Sequence, residues 1–185
     1  TIGIVIISLS NIVLVSAPEY YILVLAHIPA GIGWGSSGPI GGIHAQLIEK
    51  HSGKIISPYY AMGFNIGIFV GGILAGFILG NEINPTLIFF ILFFTSIFIS
   101  IIVYINGLPK NLDFKGQGEK LKLPEKNVLI FGFLLFVIFG SNGIIIDWSA
   151  LWFTKELDAP LYLASLGLIF LSLGGIFANL FSNQL

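Results

Sequence analysis

"KNVLIFGFLLFVIFGSNGIIIDW", residues 126 to 148, decides what kind of protein this is. No side chain between Lys126 and Asp147 carries a charge. At 1.5 Å per residue that interval makes a helix of about 31 Å, the thickness of the hydrocarbon core of a bilayer. The stretch reads as a membrane-spanning helix with Asp147 at its outer edge. The rest of the chain has the same character: 56% of its 185 residues are hydrophobic and 9% charged, with mean hydropathy +0.97, whereas soluble domains carry about 25% charged residues. A water-soluble fold of this size has nowhere to hide so much apolar surface.

Composition also excludes several function classes. A net charge of −1 with no basic stripe offers nothing to neutralise phosphates, so no nucleic-acid partner is expected. The absence of cysteine removes disulfides, thiol catalysis and thiolate metal sites. His44, Glu49 and His51 match no helical metal motif such as His-Glu-x-x-His, so no metal or cofactor is expected and these residues read as interfacial. The sequence opens on Thr1 inside an apolar segment with no signal-peptide n-region before it, which suggests a fragment of a longer protein.

Six apolar segments lie at about 2 to 17, 20 to 46, 59 to 80, 85 to 105, 128 to 153 and 160 to 181. Most approach the roughly 20 residues that a crossing requires, and the first is short, as a truncated helix would be. The class is therefore an all-α integral membrane protein with six transmembrane helices. Polar or Pro-containing runs separate them: Ala17-Pro18-Glu19, His51 to Pro58, Asn81 to Pro85, Asn106 to Asn127, and Lys155 to Pro160. Orientation follows from the lysines, because positive charge in short loops stays on the cytoplasmic side. Lys50 and Lys54 lie in the second connection, and Lys110, Lys115, Lys120, Lys122 and Lys126 in or beside the fourth. The other side carries Glu19, Glu82, Glu156 and Asp158 against Lys155 alone. Both ends and the 22-residue linker are thus expected in the cytoplasm. That linker, "NGLPKNLDFKGQGEKLKLPEKN", has the Gly, Pro and mixed charge of a loosely structured connection. It divides the chain into residues 1–105, 106–127 and 128–185.

Within the helices the unusual residues are few. "YYAMGFNIGIFVGGILAGFILG" (59–80) places Gly63, Gly67 and Gly71 in one row at a spacing of four, and Gly72, Gly76 and Gly80 in another. Such rows let a neighbouring backbone approach closely in lipid, so helix packing is expected there. The second segment, "LVLAHIPAGIGWGSSGPIGGIHAQ" (23–46), is rich in Gly, Pro, Ser and His and is expected to be irregular, a state tolerated at membrane depth only inside protein or along a cavity. His27 lies about 10 Å in from the outer end of that segment; it is either a titrating group for proton coupling or a neutral imidazole bonded to a neighbour. Asp147, Trp148 and Trp152 suit an interfacial aromatic belt. Against that reading, Gly140-Ser141-Asn142-Gly143 is expected to loosen the helix just below, as at the mouth of a solute path. Ser8, Asn11, Ser36, Ser37 and Ser96 are also polar residues within apolar segments; single serines of this kind often bond back to their own helix. Asn65 is harder to satisfy that way.

Several of these stretches resemble the middle of a major facilitator superfamily transporter, from its third helix to its eighth. "LVLAHIPAGIG" is similar to the fourth-helix motif, with Leu23, His27, Gly31 and Gly33 at its spacing and His27 where arginine is usual. "GIFVGGILAG" falls where some antiporters carry a Gly-Pro-rich fifth-helix motif, with Gly72 in place of the proline. "ANLFSNQL" stands where a Gly-x-x-x-Asp-type loop motif follows the eighth helix, with Asn179 and Asn183 replacing its Arg and Asp. "DWSALWFTKEL" resembles the seventh helix of a bacterial branch described as sugar or multidrug transporter-like. The resemblance implies a 12-helix fold in the bacterial inner membrane, with two bundles around a central cavity lined by the first, fourth, seventh and tenth helices, and rocker-switch alternating access. Residues 1–105 would then be the last four helices of the N-terminal bundle and residues 128–185 the first two of the C-terminal bundle, partnered by the remaining helices of the full-length chain.

The expected function is proton-coupled transport of a small sugar-like or amphipathic solute, with binding by Trp34, Asn65, Asn142, Asp147 and Trp148 and His27 or Asp147 as titrating groups. The lack of arginine argues mildly against organophosphate or dicarboxylate substrates, which favour guanidinium clamps. An intramembrane enzyme would need convergent catalytic groups, and Asp147 has no carboxylate partner at its depth. A scaffold or receptor would call for regular apolar helices without the Gly, Pro and Asn interruptions. A degenerate transporter is the remaining alternative.

Overall fold

The computed structural model describes residues 2–107 and 124–182. The chain forms α1 (Ile2–Ser16), α2 (Tyr20–Ser52), α3 (Ser57–Gly80), α4 (Pro85–Asn106), α5 (Lys126–Lys155), a 3₁₀ turn (Leu161–Leu163) and α6 (Leu166–Phe181). There is no strand among the described residues. In lipid every backbone polar group needs an internal partner, and a helix supplies one without help from another segment.

Local chemistry sets the helix ends. Asn84 caps α4 by accepting from the Thr86 amide at 2.9 Å, with Pro85 at the first helical position. Gly53 closes α2 in the left-handed conformation, φ 66°, donating its N–H to the Glu49 carbonyl. Glu49 also reaches past this turn: one carboxylate oxygen accepts from the amides of Ile56 and Ser57, each at 2.6 Å. These bonds, that from Ser57 foremost, hold the carboxyl below the usual glutamate range.

Two expectations about irregular backbone are corrected. The second segment is one continuous 33-residue helix that runs through Pro29 and Pro39. Each proline removes a single backbone donor, and its φ is already helical. Helix α5 likewise continues through Gly140 to Gly143, with Ser141 Oγ donating to the Val137 carbonyl at 2.9 Å. Glycine lowers helix propensity by about 1 kcal/mol, too little to break a helix whose alternative is an unpaired backbone in hydrocarbon.

Among the described residues, four spans are long and apolar enough to cross a membrane: Ser57–Gly80, Pro85–Asn106, Lys126–Lys155 and Leu161–Phe181. Helix α1 is shorter, at 15 residues. Helix α2 has the length but not the apolarity, because Gly, Ser, Pro and His dilute it.

Contacts group the helices into two units. In the first, α1 packs against both α2 and α4. The α1–α2 seam is made of small groups: a methyl group on Gly33 would lie 2.8 Å from the Gly3 carbonyl, and Gly3 faces the Ser36 and Ser37 hydroxyls. Ala26, Ala30, Gly33 and Ala45 are buried in α2, the close approach that small residues permit. The second unit takes α3 from Ala61 onward together with α5 and α6. Gly72 meets Ile169, Gly76 meets the Tyr162 carbonyl and Ser165, and Gly80 meets the Tyr162 ring. Gly167 lies against Ser149, and Gly175 against the Asn65 carboxamide. This grouping assigns α3 by contact to α5 and α6, whereas chain order alone places it with α1, α2 and α4.

Candidate functional site

The expected site residues divide between the two units. His27 and Trp34 belong to α2 in the first; Asn65, Asn142, Asp147 and Trp148 belong to the second.

Helix α2 has two contrasting faces. Ala26, Ala30, Gly33, Ser37, Gly41 and Ala45 recur at three and four residues, the signature of one helix stripe. Gly33 looks onto α1, and Gly41 onto the Tyr60 hydroxyl. On the other face His27, Gly31, Trp34 and Gly38 follow at the same intervals. His27 and Trp34 are exposed there, and a methyl group added to Gly31, Gly35, Gly38 or Gly42 would meet nothing within 4 Å. The packed stripe was legible as a spacing of small residues; composition alone obscured it, because both faces contain glycine.

The His27 ring bonds its own helix, Nδ1 to the Leu23 carbonyl at 2.8 Å. A carbonyl only accepts, so Nδ1 is the donor in this bond.

In α5, Asn142 is half-buried, while Asp147 and Trp148 are exposed. Asn142 and Asp147, five residues apart, project from different sides of the helix. Trp148 and Trp152 lie one turn apart, each 62% exposed. No residue of α5 is buried. The buried hydroxyl of Ser149, packed on Gly167, has no hydrogen-bond partner.

Asn65 takes part in packing. Its Nδ2 donates to the Ala61 carbonyl at 3.0 Å, so its amide does bond back to its own helix, and its Oδ1 rests on Gly175. Asn179 makes the parallel bond in α6, donating to the Gly175 carbonyl at 2.8 Å. Ser8, Ser36 and Ser96 bond back to carbonyls three or four residues earlier. Gly72 and Gly76 lie in a close seam, while Gly63, Gly67 and Gly71 face open space. Asn183 lies outside the described residues.

Two cavities among the described residues combine polar groups with glycine. One of about 550 Å³ in the first unit is lined by residues of α1 and α2 with Val103 of α4, including Ser36, Ser37 and His44. Another of about 430 Å³ in the second unit includes Gly76, Asn81, Tyr162 and Ser165. None of the expected solute-binding residues lines either. No group of three or more His, Asp or Glu side chains suited to a metal ion occurs among the described residues.

No family model and no solved structure matches the chain. A curated protein of Yersinia pestis, described as an uncharacterized MFS-type transporter, is 29% identical over 117 residues, which is 60% of this chain and 29% of that protein. The chain resembles a major facilitator transporter. The match therefore covers less than a third of the relative's length. It agrees in kind with the superfamily likeness carried by the motifs around His27, Gly72 and Asp147, and with an all-helical chain whose spans suit a bilayer.

Proposed function

We propose that the chain is the central part of a major facilitator transporter, its third to eighth helices, which moves a small sugar-like or amphipathic solute across the bacterial inner membrane by alternating access. The likeness to the Yersinia pestis transporter carries this reading. In this reading residues 1–105 and 128–185 belong to successive bundles joined by the cytoplasmic segment 106–127, and the remaining helices of the full-length protein complete the cavity.

Helices α2 and α5 then supply cavity walls. What supports the assignment in α2 is the face on which His27 and Trp34 are exposed, beside glycines whose Cβ positions meet nothing within 4 Å. In α5 it is the exposed set Asp147 and Trp148 with Asn142 one turn and more below. Aromatic faces with nearby hydrogen-bonding groups suit the apolar face and polar edge of such a solute. Coupling to protons would use Asp147 or His27, groups that change charge without leaving their helices.

The test is uptake by the full-length protein in proteoliposomes, against a panel of sugars and hydrophobic cations, with and without an imposed pH gradient. Wild type is compared with Asp147→Asn and His27→Gln. Gradient-driven flux that falls at least tenfold in Asp147→Asn supports the α5 site. Equal flux in all three proteins removes both residues from the path, and no flux of any solute in wild type counts against transport itself.

A further inference from the structure

Three histidines lie on α2, and two are occupied. His27 Nδ1 bonds the Leu23 carbonyl at 2.8 Å and His51 Nδ1 the Leu47 carbonyl at 2.9 Å, each four residues back. His44 makes no such bond among the described residues and instead lines the cavity of about 550 Å³ between α1 and α2. That volume is within the roughly 300–1,000 Å³ of small-molecule sites. The lining runs along α2 from His44 through Gly41, Ile40, Ser37 and Ser36 to Ile32, a length of about 18 Å at 1.5 Å per residue. Its other wall is apolar, formed by Ile2, Ile4 and Ile6 of α1 with Val103 of α4. Polar and apolar groups are therefore arranged in sequence along one slot-like cavity.

The unbonded imidazole stands at the end of that slot nearest Lys50, in the last turn of α2, and Lys54, in the connection that follows; both lysines are exposed. In the orientation proposed above this end meets the cytoplasmic leaflet, whose anionic lipids attract lysine-rich segments. A ring N–H donates to a phosphate oxygen in either tautomer, and the isoleucine wall below suits an acyl chain. Glycine lets the walls approach closely here: Gly3 packs on the two serine hydroxyls and Gly41 on the Tyr60 hydroxyl.

From the free imidazole, the slot below it and the exposed lysines that follow it at the same end of α2, we infer that this cavity binds an anionic phospholipid of the cytoplasmic leaflet, with the phosphate at His44 and one acyl chain along Ile2, Ile6, Ile32 and Ile40. The inference rests on the proposed orientation but not on any transported solute. It is read from lipid retention, so its failure leaves the transport reading intact.

The experiment uses the full-length protein, extracted and reconstituted in bilayer discs of phosphatidylglycerol or phosphatidylcholine, with retained lipid counted by native mass spectrometry. Wild type is expected to keep phosphatidylglycerol in preference to phosphatidylcholine. Because one hydrogen bond contributes about 1 kcal/mol net, His44→Ala should weaken retention about fivefold. His51→Ala, whose ring bonds its own helix outside the slot, is expected to match wild type. Ile40→Trp fills the slot and should abolish retention, with folding checked by thermal denaturation. If it fails to fold, Ile40→Phe serves in its place. Equal losses in His44→Ala and His51→Ala, or undiminished retention in the filled variant, overturn the inference. The second result is also expected if another segment of the full-length protein occupies the slot.

Discussion

Glu49 joins two helices with one oxygen atom. Its carboxylate takes both the Ile56 and the Ser57 amides, donors that the start of α3 would otherwise leave without a partner. A carboxyl held below its usual range stabilises the fold above its unfolded value of about 4.3, and that contribution fades as pH falls through the lowered value. Glu49→Gln is expected to speed hydrogen exchange at the Ile56 and Ser57 amides at neutral pH. Wild type should approach the variant only on acidification below the ordinary glutamate range. Ser149 is the opposite case, a buried hydroxyl without a partner. Ser149→Ala removes an unsatisfied group that costs about 1–3 kcal/mol and keeps the Cβ against Gly167. Thermal denaturation in detergent is expected to show an equal or higher midpoint, and a fall of several degrees would mean that the hydroxyl has a partner in the full-length protein.

Among the helices, the two glycine rows of α3 look alike in sequence and differ in surroundings. A methyl group on Gly76 would lie 2.9 Å from the Tyr162 carbonyl and 3.0 Å from Ser165 Oγ, whereas one on Gly67 would meet nothing within 4 Å. Gly76→Ala is expected to destabilise by about 1–3 kcal/mol through overpacking. Gly67→Ala should be neutral or slightly stabilising, since alanine favours helix by about 1 kcal/mol over glycine. Unfolding midpoints of the two variants in the same detergent make the comparison. A similar loss in both would mean that another helix covers the Gly67 row. The same reasoning explains α2: its small residues suggested a broken backbone, yet the ladder survives two prolines because the helix satisfies nearly every other backbone group.

For the whole molecule, apolar exposure is the dominant property. Phe131, Phe136 and Phe139 are 67%, 72% and 68% exposed along α5, as suits a surface covered by lipid or by other helices of a longer chain. The lysine distribution makes a topological prediction. In intact cells, Lys54→Cys should be shielded from a membrane-impermeant thiol reagent until the cytoplasmic side is opened, while Glu82→Cys should react from outside. Labelling of both from one side would overturn the six-crossing arrangement, which α1 and α2 support less directly than the other four spans.

The helices were legible in the chain because their cause is local: each long apolar run must close its own hydrogen bonds, and its polar boundaries mark where water resumes. Asn84-Pro85 at one end and Gly53 at another announce helix limits for the same reason. Packing is not local, and the two glycine rows of α3 or the two faces of α2 are equivalent until a neighbour arrives. Only the tertiary structure decided that Gly72 is filled against α6 and Gly76 against the turn before it, that Asn65 bonds its own helix and rests on Gly175, and that His44 opens into a cavity while His27 and His51 bond their own helix. Those outcomes depend on which atoms two distant segments bring within contact distance. No spacing within one segment contains that information.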